Sequence, residues 1–404
     1  MPCFGRIKGN VPLMLLSLAL SCGGGPGRES RMHFQRGLVL AGRGDYPGAI
    51  EEYRRALALY PDFPEAYYNL ANSYFKLDEC KEALRAYRKA LELRPDFPEA
   101  HYNLGALYVR MERYGEALKE FEEAVRLKPD YALAYNSLGM IYFRHGDLER
   151  AEDAYRKAIL SDSTYAEAYC NLAEVLVRKY RSSEAEEMYR KALAVRPDLA
   201  RAHGGLGALY LRERRYEEAI RELEEAVRLD PFYTRAHFNL GNAYLRVGRR
   251  EEGRRELRRF SELDGYDKKI QTLRHNLLRR PRDFELYHSL GVFYSKKGEL
   301  ERAASAYLRA VRINPNFAPS YNNLGNIYLK VGRYPEAKEM FLKAISSDSS
   351  YALAYCGLGS VLLMEGRIPE ARDAYRRALY YDPTNSDARY NLKVIEKLWN
   401  LEGR

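Results

Sequence analysis

Tryptophan occurs once in 404 residues, and cysteine only five times. The five cysteines are scattered and none forms a CxxC pair. That excludes a disulfide framework and leaves neither a zinc site nor a dithiol redox motif. Strings of β-branched residues bounded by turn residues are missing, so strands are not expected. HExxH, GxxxxGK[ST] and GxSxG do not occur. The run Gly204-Gly205-Leu206-Gly207 follows from the repeat frame described below and is no phosphate loop. Neither catalysis, a metal nor a cofactor is therefore expected.

What is present favours helix. Ala, Leu, Glu and Arg dominate, and all are good helix formers. Tyrosine is abundant at 35. The net charge of +10, with 30% charged residues, supports solubility and a preference for acidic surfaces without naming a partner.

The first 22 residues differ from the rest. Arg6 and Lys8 give a short basic start, Val11 to Leu20 is an apolar run, and Ala19-Leu20-Ser21-Cys22 precedes Gly23-Gly24-Gly25-Pro26-Gly27. Basic start, short apolar core and small residues at a cut site describe an export signal. The run is too short for a membrane span, which needs ~20 residues. The segment resembles the lipobox of bacterial lipoproteins, whose cysteine is acylated. It departs from that pattern at Ala19, where Leu is usual, and at Leu20, where a small or β-branched residue is usual. The resemblance implies lipidation of Cys22, with residues 1–21 as signal and 22–29 as a flexible tether. A simple cleaved signal, or a start placed too early, are the alternatives.

From Ser30 the chain repeats every 34 residues. Units begin at Ser30, Pro64, Pro98, Ala132, Ala166, Ala200 and Thr234, and resume at Phe284, Ala318 and Ala352. Place 8 of every unit is Gly or Ala, from Gly37 through Gly105 to Gly359. Place 20 is equally small, and place 27 is Ala everywhere except Phe260. Small columns mark helix crossings, where spacing is set by the side chains in contact. Large residues at place 24, such as Tyr87, Phe121 and Tyr155, fill the core. Gly44, Gly146 and their equivalents sit at the mid-unit turn. Pro61, Pro95, Pro129 and others stop the second helix.

These columns resemble the tetratricopeptide repeat family, most closely in residues 64–97 (PEAYYNLANSYFKLDECKEALRAYRKALELRPDF). The resemblance implies an all-α superhelix of helix-turn-helix pairs with a concave groove. Seven repeats are expected over 30–267 and three over 284–385. Residues 268–283 contain Ile270, Leu273, Leu277 and Leu278 at helical spacing, ended by Pro281. They read as an extra amphipathic helix interrupting the array. Residues 386–404 read as a capping helix.

The resemblance places the stripe through places 2, 5, 6, 9 and 13 of each first helix on the groove. Place 13 is cationic in eight successive units: Lys76, Arg110, Arg144, Arg178, Arg212, Arg246, Lys296 and Lys330. Such a ladder suits an acidic segment, or is a set of solvated cations paired with glutamates. Place 6 holds Asn69, Asn103, Asn171, Asn239 and Asn323. An Asn amide can pair with any peptide backbone, or with groups inside the stack. The column is similar to the asparagine ladder in the repeats of O-linked N-acetylglucosamine transferases, which implies a grip on extended peptides. Tyr68 and Tyr102 at place 5, with Phe238, are candidate stacking residues. No Lys stands at place 5, so the carboxylate clamp of chaperone-binding relatives is not matched. His33, His101, His203 and His237 share place 4, a packing position.

Residues 246–282 carry thirteen Lys or Arg against six Asp or Glu. That excess suits anionic headgroups or an acidic partner, or is a solvated helix pair. Nucleic acid is not expected, since no binding motif occurs and aromatics are not interleaved with the charge. The function implied is a scaffold for protein or peptide partners, membrane-tethered through a lipid anchor, facing the periplasm and assisting assembly of an envelope complex. The alternative is a cytoplasmic assembly scaffold.

Overall fold

The 34-residue period becomes pairs of short helices in the computed structural model, which describes residues 25–402, with side chains through Lys397. Cys22 and the export-signal reading lie outside the described residues. Two compact units divide the chain, one ending at Phe260 and the other beginning at Ser261.

The first seven pairs are α1 (Arg28–Gly42) and α2 (Tyr46–Leu59), α3 (Pro64–Lys76) and α4 (Cys80–Leu93), α5 (Pro98–Arg110) and α6 (Tyr114–Leu127), α7 (Ala132–Arg144) and α8 (Leu148–Ser161), α9 (Ala166–Arg178) and α10 (Ser182–Val195), α11 (Ala200–Arg212) and α12 (Tyr216–Leu229), α13 (Thr234–Arg246) and α14 (Arg250–Arg279). Three further pairs follow: α15 (Phe284–Lys296) and α16 (Leu300–Ile313), α17 (Ala318–Lys330) and α18 (Tyr334–Ser347), α19 (Ala352–Met364) and α20 (Ile368–Tyr381). α21 (Ser386–Glu402) closes the series. The described residues contain no strand. The architecture is the all-α helix-turn-helix superhelix class that the period implies.

Each small column has a visible cause. A Cβ on Gly105 would fall 2.7 Å from the ring of Phe121, and one on Gly139 would fall 2.6 Å from Tyr155. Place 8 is therefore small because the place-24 ring of the same repeat lies flat against it. Those rings are fully buried at Tyr53, Tyr87, Phe121, Tyr155, Tyr307, Phe341 and Tyr375. Burying one such side chain contributes roughly 1.5–3 kcal/mol. First helices also touch one another, α9 against α11 and α11 against α13, which sets them side by side as a layer.

The mid-unit turn needs one residue in the left-handed region. Gly146 takes it at φ 82° and Gly332 at 77°. Asp78, Glu112, Tyr180 and Arg214 occupy the same turn at φ 59–63° without that freedom.

The place-4 histidines act as brackets. Nδ1 of His101 lies 2.7 Å from Glu120 on the partner helix, and Nε2 lies 2.9 Å from the carbonyl oxygen of Pro95 in the preceding repeat. His203 repeats the arrangement with Glu222 and Pro197, and His237 with Glu256 and Pro231. His33 pairs with Glu52.

The extra residues before Phe284 do not form a helix of their own. They prolong the second helix of the seventh pair into one 30-residue helix, α14. Gly253 and Gly265 do not break it, and it ends just before Pro281. Gly253 instead permits a close crossing, since a Cβ there would sit 2.9 Å from the Gly241 carbonyl oxygen.

Candidate functional site

The first helices carry the candidate site, and burial decides which of their residues a partner could reach. Place 5 is closed in the early repeats. The ring of Tyr68 stacks 4.9 Å from Phe97, and that of Tyr102 lies 5.2 Å from Tyr131. Tyr68 is only 2% exposed, and burial pushes its phenol up to about 12. Phe97 and Tyr131 stand at place 34 of the same repeats, so place 34 acts as a lid on place 5. Tyr68 and Tyr102 are thus core residues, and the reading of them as ligand-stacking residues is corrected. Cys170, at place 5 of the fifth repeat, is also buried, and desolvation holds its thiol near 12, in the unreactive form.

The asparagine column is largely turned to internal use. The Asn69 amide donates to the Glu65 carbonyl one turn back, at 2.8 Å. Asn103 donates to the Tyr68 hydroxyl (2.9 Å) and to the Asn72 side-chain oxygen (3.0 Å), which also accepts from the Tyr87 hydroxyl (2.6 Å). Asn171 donates to Asn136 at 2.7 Å. These three are buried. Asn323 hydrogen-bonds Tyr307, also across a repeat boundary. The expected open ladder is therefore a set of buried polar links at Asn69, Asn103 and Asn171, because an unpaired amide there would be expensive. Asn239 differs: it is half-buried and makes no side-chain hydrogen bond among the described residues.

The cation column is open throughout. Lys76, Arg110, Arg144, Arg178, Arg212 and Arg246 are all exposed, as are Lys296 and Lys330 in the second unit. Several lean back on place 12 of the preceding repeat. Arg110 lies over the Phe75 ring at 4.9 Å and donates to the Phe75 carbonyl at 3.1 Å. Arg178 lies over Phe143 at 4.2 Å, and Arg212 donates to the Val177 carbonyl at 3.3 Å. Arg144 lies over Tyr114 at 4.5 Å, and Arg110 also pairs with Asp78 at 2.8 Å. From Arg110 to Arg212 the result is a row of four guanidinium groups, each held by the repeat before it. Arg246 has no partner among the described residues.

On α13 the stripe is partly open: Arg235, Phe238, Leu245 and Arg246 are exposed, and Asn239 and Asn242 are half-buried. Place 34 of this repeat is Asp267, within α14, where the second and third repeats have an aromatic. The Phe238 ring lies 5.0 Å from that of Phe260 and is 43% exposed. Leu245, two turns on, is 40% exposed. Arg235, Asn239, Asn242 and Arg246 complete a face with two apolar centres, two amides and two cations. Arg235 and Asn242 stand at places 2 and 9 of the expected stripe though neither was singled out, whereas Leu245, at place 12, escaped sequence reasoning. The missing place-34 aromatic was the signal that could have found them.

Residues 49–272, more than half of the chain, match the family model described as Cilia and flagella-associated protein 70 C-terminal domain. Residues 30–63 and 322–388 match models described as Tetratricopeptide repeat, and 291–332 one described as TPR repeat. The chain belongs to the tetratricopeptide repeat family. Repeats of this family are protein-interaction scaffolds, and most are not enzymes. Among solved structures, the chain is similar to MamA from Desulfovibrio magneticus RS-1, with 24% identity over 43% of this chain and 99% of that one, TM-score 0.40. It is similar to YrrB, a TPR protein described as having an unusual peptide-binding site, with 26% identity over 46% and 95%, TM-score 0.39. It is also similar to PilF of Pseudomonas aeruginosa, with 22% identity over 52% and 95%, TM-score 0.47. No curated protein matches. Among the described residues no cluster suited to a metal occurs, and no helix is long and apolar enough to cross a membrane.

Proposed function

We propose that the chain is a non-enzymatic scaffold that binds an acidic polypeptide segment along the cation row of its first unit. The carrying observation is that Arg110, Arg178 and Arg212 are exposed yet oriented by the preceding repeat. A cation already held in place loses less side-chain freedom on binding, so its attraction is less offset. The α13 face supplies the apolar anchor through Phe238 and Leu245, and Asn239 has donor and acceptor groups free for a peptide backbone. The test is binding of a fluorescent Glu-rich peptide to the native chain and to Arg144→Glu/Arg178→Glu/Arg212→Glu. Loss of roughly 100-fold or more is expected. Unchanged affinity would reject the reading.

The scaffold is further proposed to be a membrane-tethered lipoprotein of a bacterial envelope, assisting assembly of a complex there. This part rests on the basic start, the short apolar run and Cys22. Cys22→Ser should abolish labelled palmitate incorporation and release the chain from membranes. Equal labelling of the variant would contradict it.

A further inference from the structure

α14 continues past the seventh repeat as an amphipathic helix whose inner side is already used. Ile270 joins the buried core of the second unit with Leu290 and Tyr294, and Leu273 and Leu277 pack against it. The opposite side is charged in one sense only. Residues 271–282 contain Arg274, Arg279, Arg280 and Arg282 and no Asp or Glu. Arg280 pairs with Asp283 at 3.0 Å, whereas Arg274, Arg279 and Arg282 have no partner among the described residues. In their midst stands Leu278, 81% exposed. Arg274 lies one helical turn before it, with His275 and Arg279 nearby on the helix, and Arg282 follows in the turn after the helix ends.

Three unpaired arginines and one exposed leucine thus fall within nine residues at the end of α14 and the turn after it. We propose that this face is a docking surface for an anionic lipid bilayer, with the arginines on headgroup phosphates and Leu278 inserted at the interface. A bilayer fits better than an acidic peptide. The face is one flank of the end of a single helix and the turn that follows it, and what it offers is exposed guanidinium groups around one apolar side chain. A sheet of phosphates needs only charge and a protruding apolar group, which is what this flank presents. The surface is independent of the cation row on the first helices and of acylation at Cys22.

The test is co-sedimentation of the full chain carrying Cys22→Ser, so that no acyl chain contributes, with vesicles of phosphatidylcholine alone or mixed with phosphatidylglycerol. Binding to the mixed vesicles only is expected, weakening as salt is raised. Arg274→Gln/Arg279→Gln/Arg282→Gln should weaken it roughly 100-fold, about fivefold per arginine near an anionic surface. Leu278→Ser should weaken it about tenfold. Unchanged far-ultraviolet circular dichroism confirms that each variant is folded. Equal binding to neutral vesicles, or an unweakened triple variant, overturns the proposal. Saturable binding of soluble poly-glutamate at this face without vesicle binding also overturns it, in favour of an acidic polypeptide.

Discussion

Nδ1 of His101 lies 2.7 Å from a carboxylate oxygen of Glu120, joining the two helices of the third repeat. Burial opposes protonation of this imidazole, but the Glu120 carboxylate and the Pro95 carbonyl outweigh it, and the pKa is raised. His203 is raised for the same reasons, by Glu222 and Pro197. A raised folded-state pKa gives stability that is fully present below the ordinary histidine value of about 6.5 and is lost as pH rises through the folded value. The thermal midpoint should therefore fall between pH 6 and pH 8. In His101→Gln/His203→Gln that part of the fall should vanish. A double variant with the native pH profile would show that the brackets are not titrating.

The left-handed turn residues offer a test of the repeat frame. Tyr180 sits at φ 59° and is 88% exposed, so it has strain without compensating burial. Tyr180→Gly should raise stability by about 0.5–1 kcal/mol in urea unfolding. Gly146→Ala, at φ 82°, should lower it by about 1 kcal/mol.

Ala117 is completely buried at the small column of the third repeat. Ala117→Tyr should destabilise by at least ~1–3 kcal/mol through overpacking. Unchanged stability would mean that the helix crossings lie elsewhere.

The fold was legible because its signals are steric. A place that must be Gly or Ala beside Tyr155 or Phe121 admits no alternative, so the column repeats in the sequence. The site was less legible because its chemistry is ambiguous. An Asn amide facing a groove and one facing Asn72 or Asn136 look the same in one sequence. Tyr68 looked available because its cover, Phe97, comes 29 residues later, beyond the whole second helix. Phe238 was not set apart from Tyr68 and Tyr102. Its repeat carries Asp267 rather than an aromatic at place 34, a difference the sequence reading did not weigh. The cations are exposed, and the sequence carried no sign that Phe75, Phe143 and Val177 would hold them.

The contrast between Phe238 and Tyr68 separates anchor from core. Phe238→Ser should weaken acidic-peptide binding roughly tenfold, with a stability loss of about 1 kcal/mol. Tyr68→Ala should lower stability by about 3–5 kcal/mol, since it empties a packed site. The reverse pattern in titration and denaturation would place the anchor elsewhere.

The most direct measurement is a charge swap on the row itself. The native chain and Arg144→Glu/Arg178→Glu/Arg212→Glu are titrated with a Glu-rich peptide and with its Lys-substituted counterpart at low and high salt. The native chain should take the acidic peptide, the variant should take the basic one, and both affinities should fall as salt rises. If both chains bind both peptides with the same affinity, the row does not select the partner.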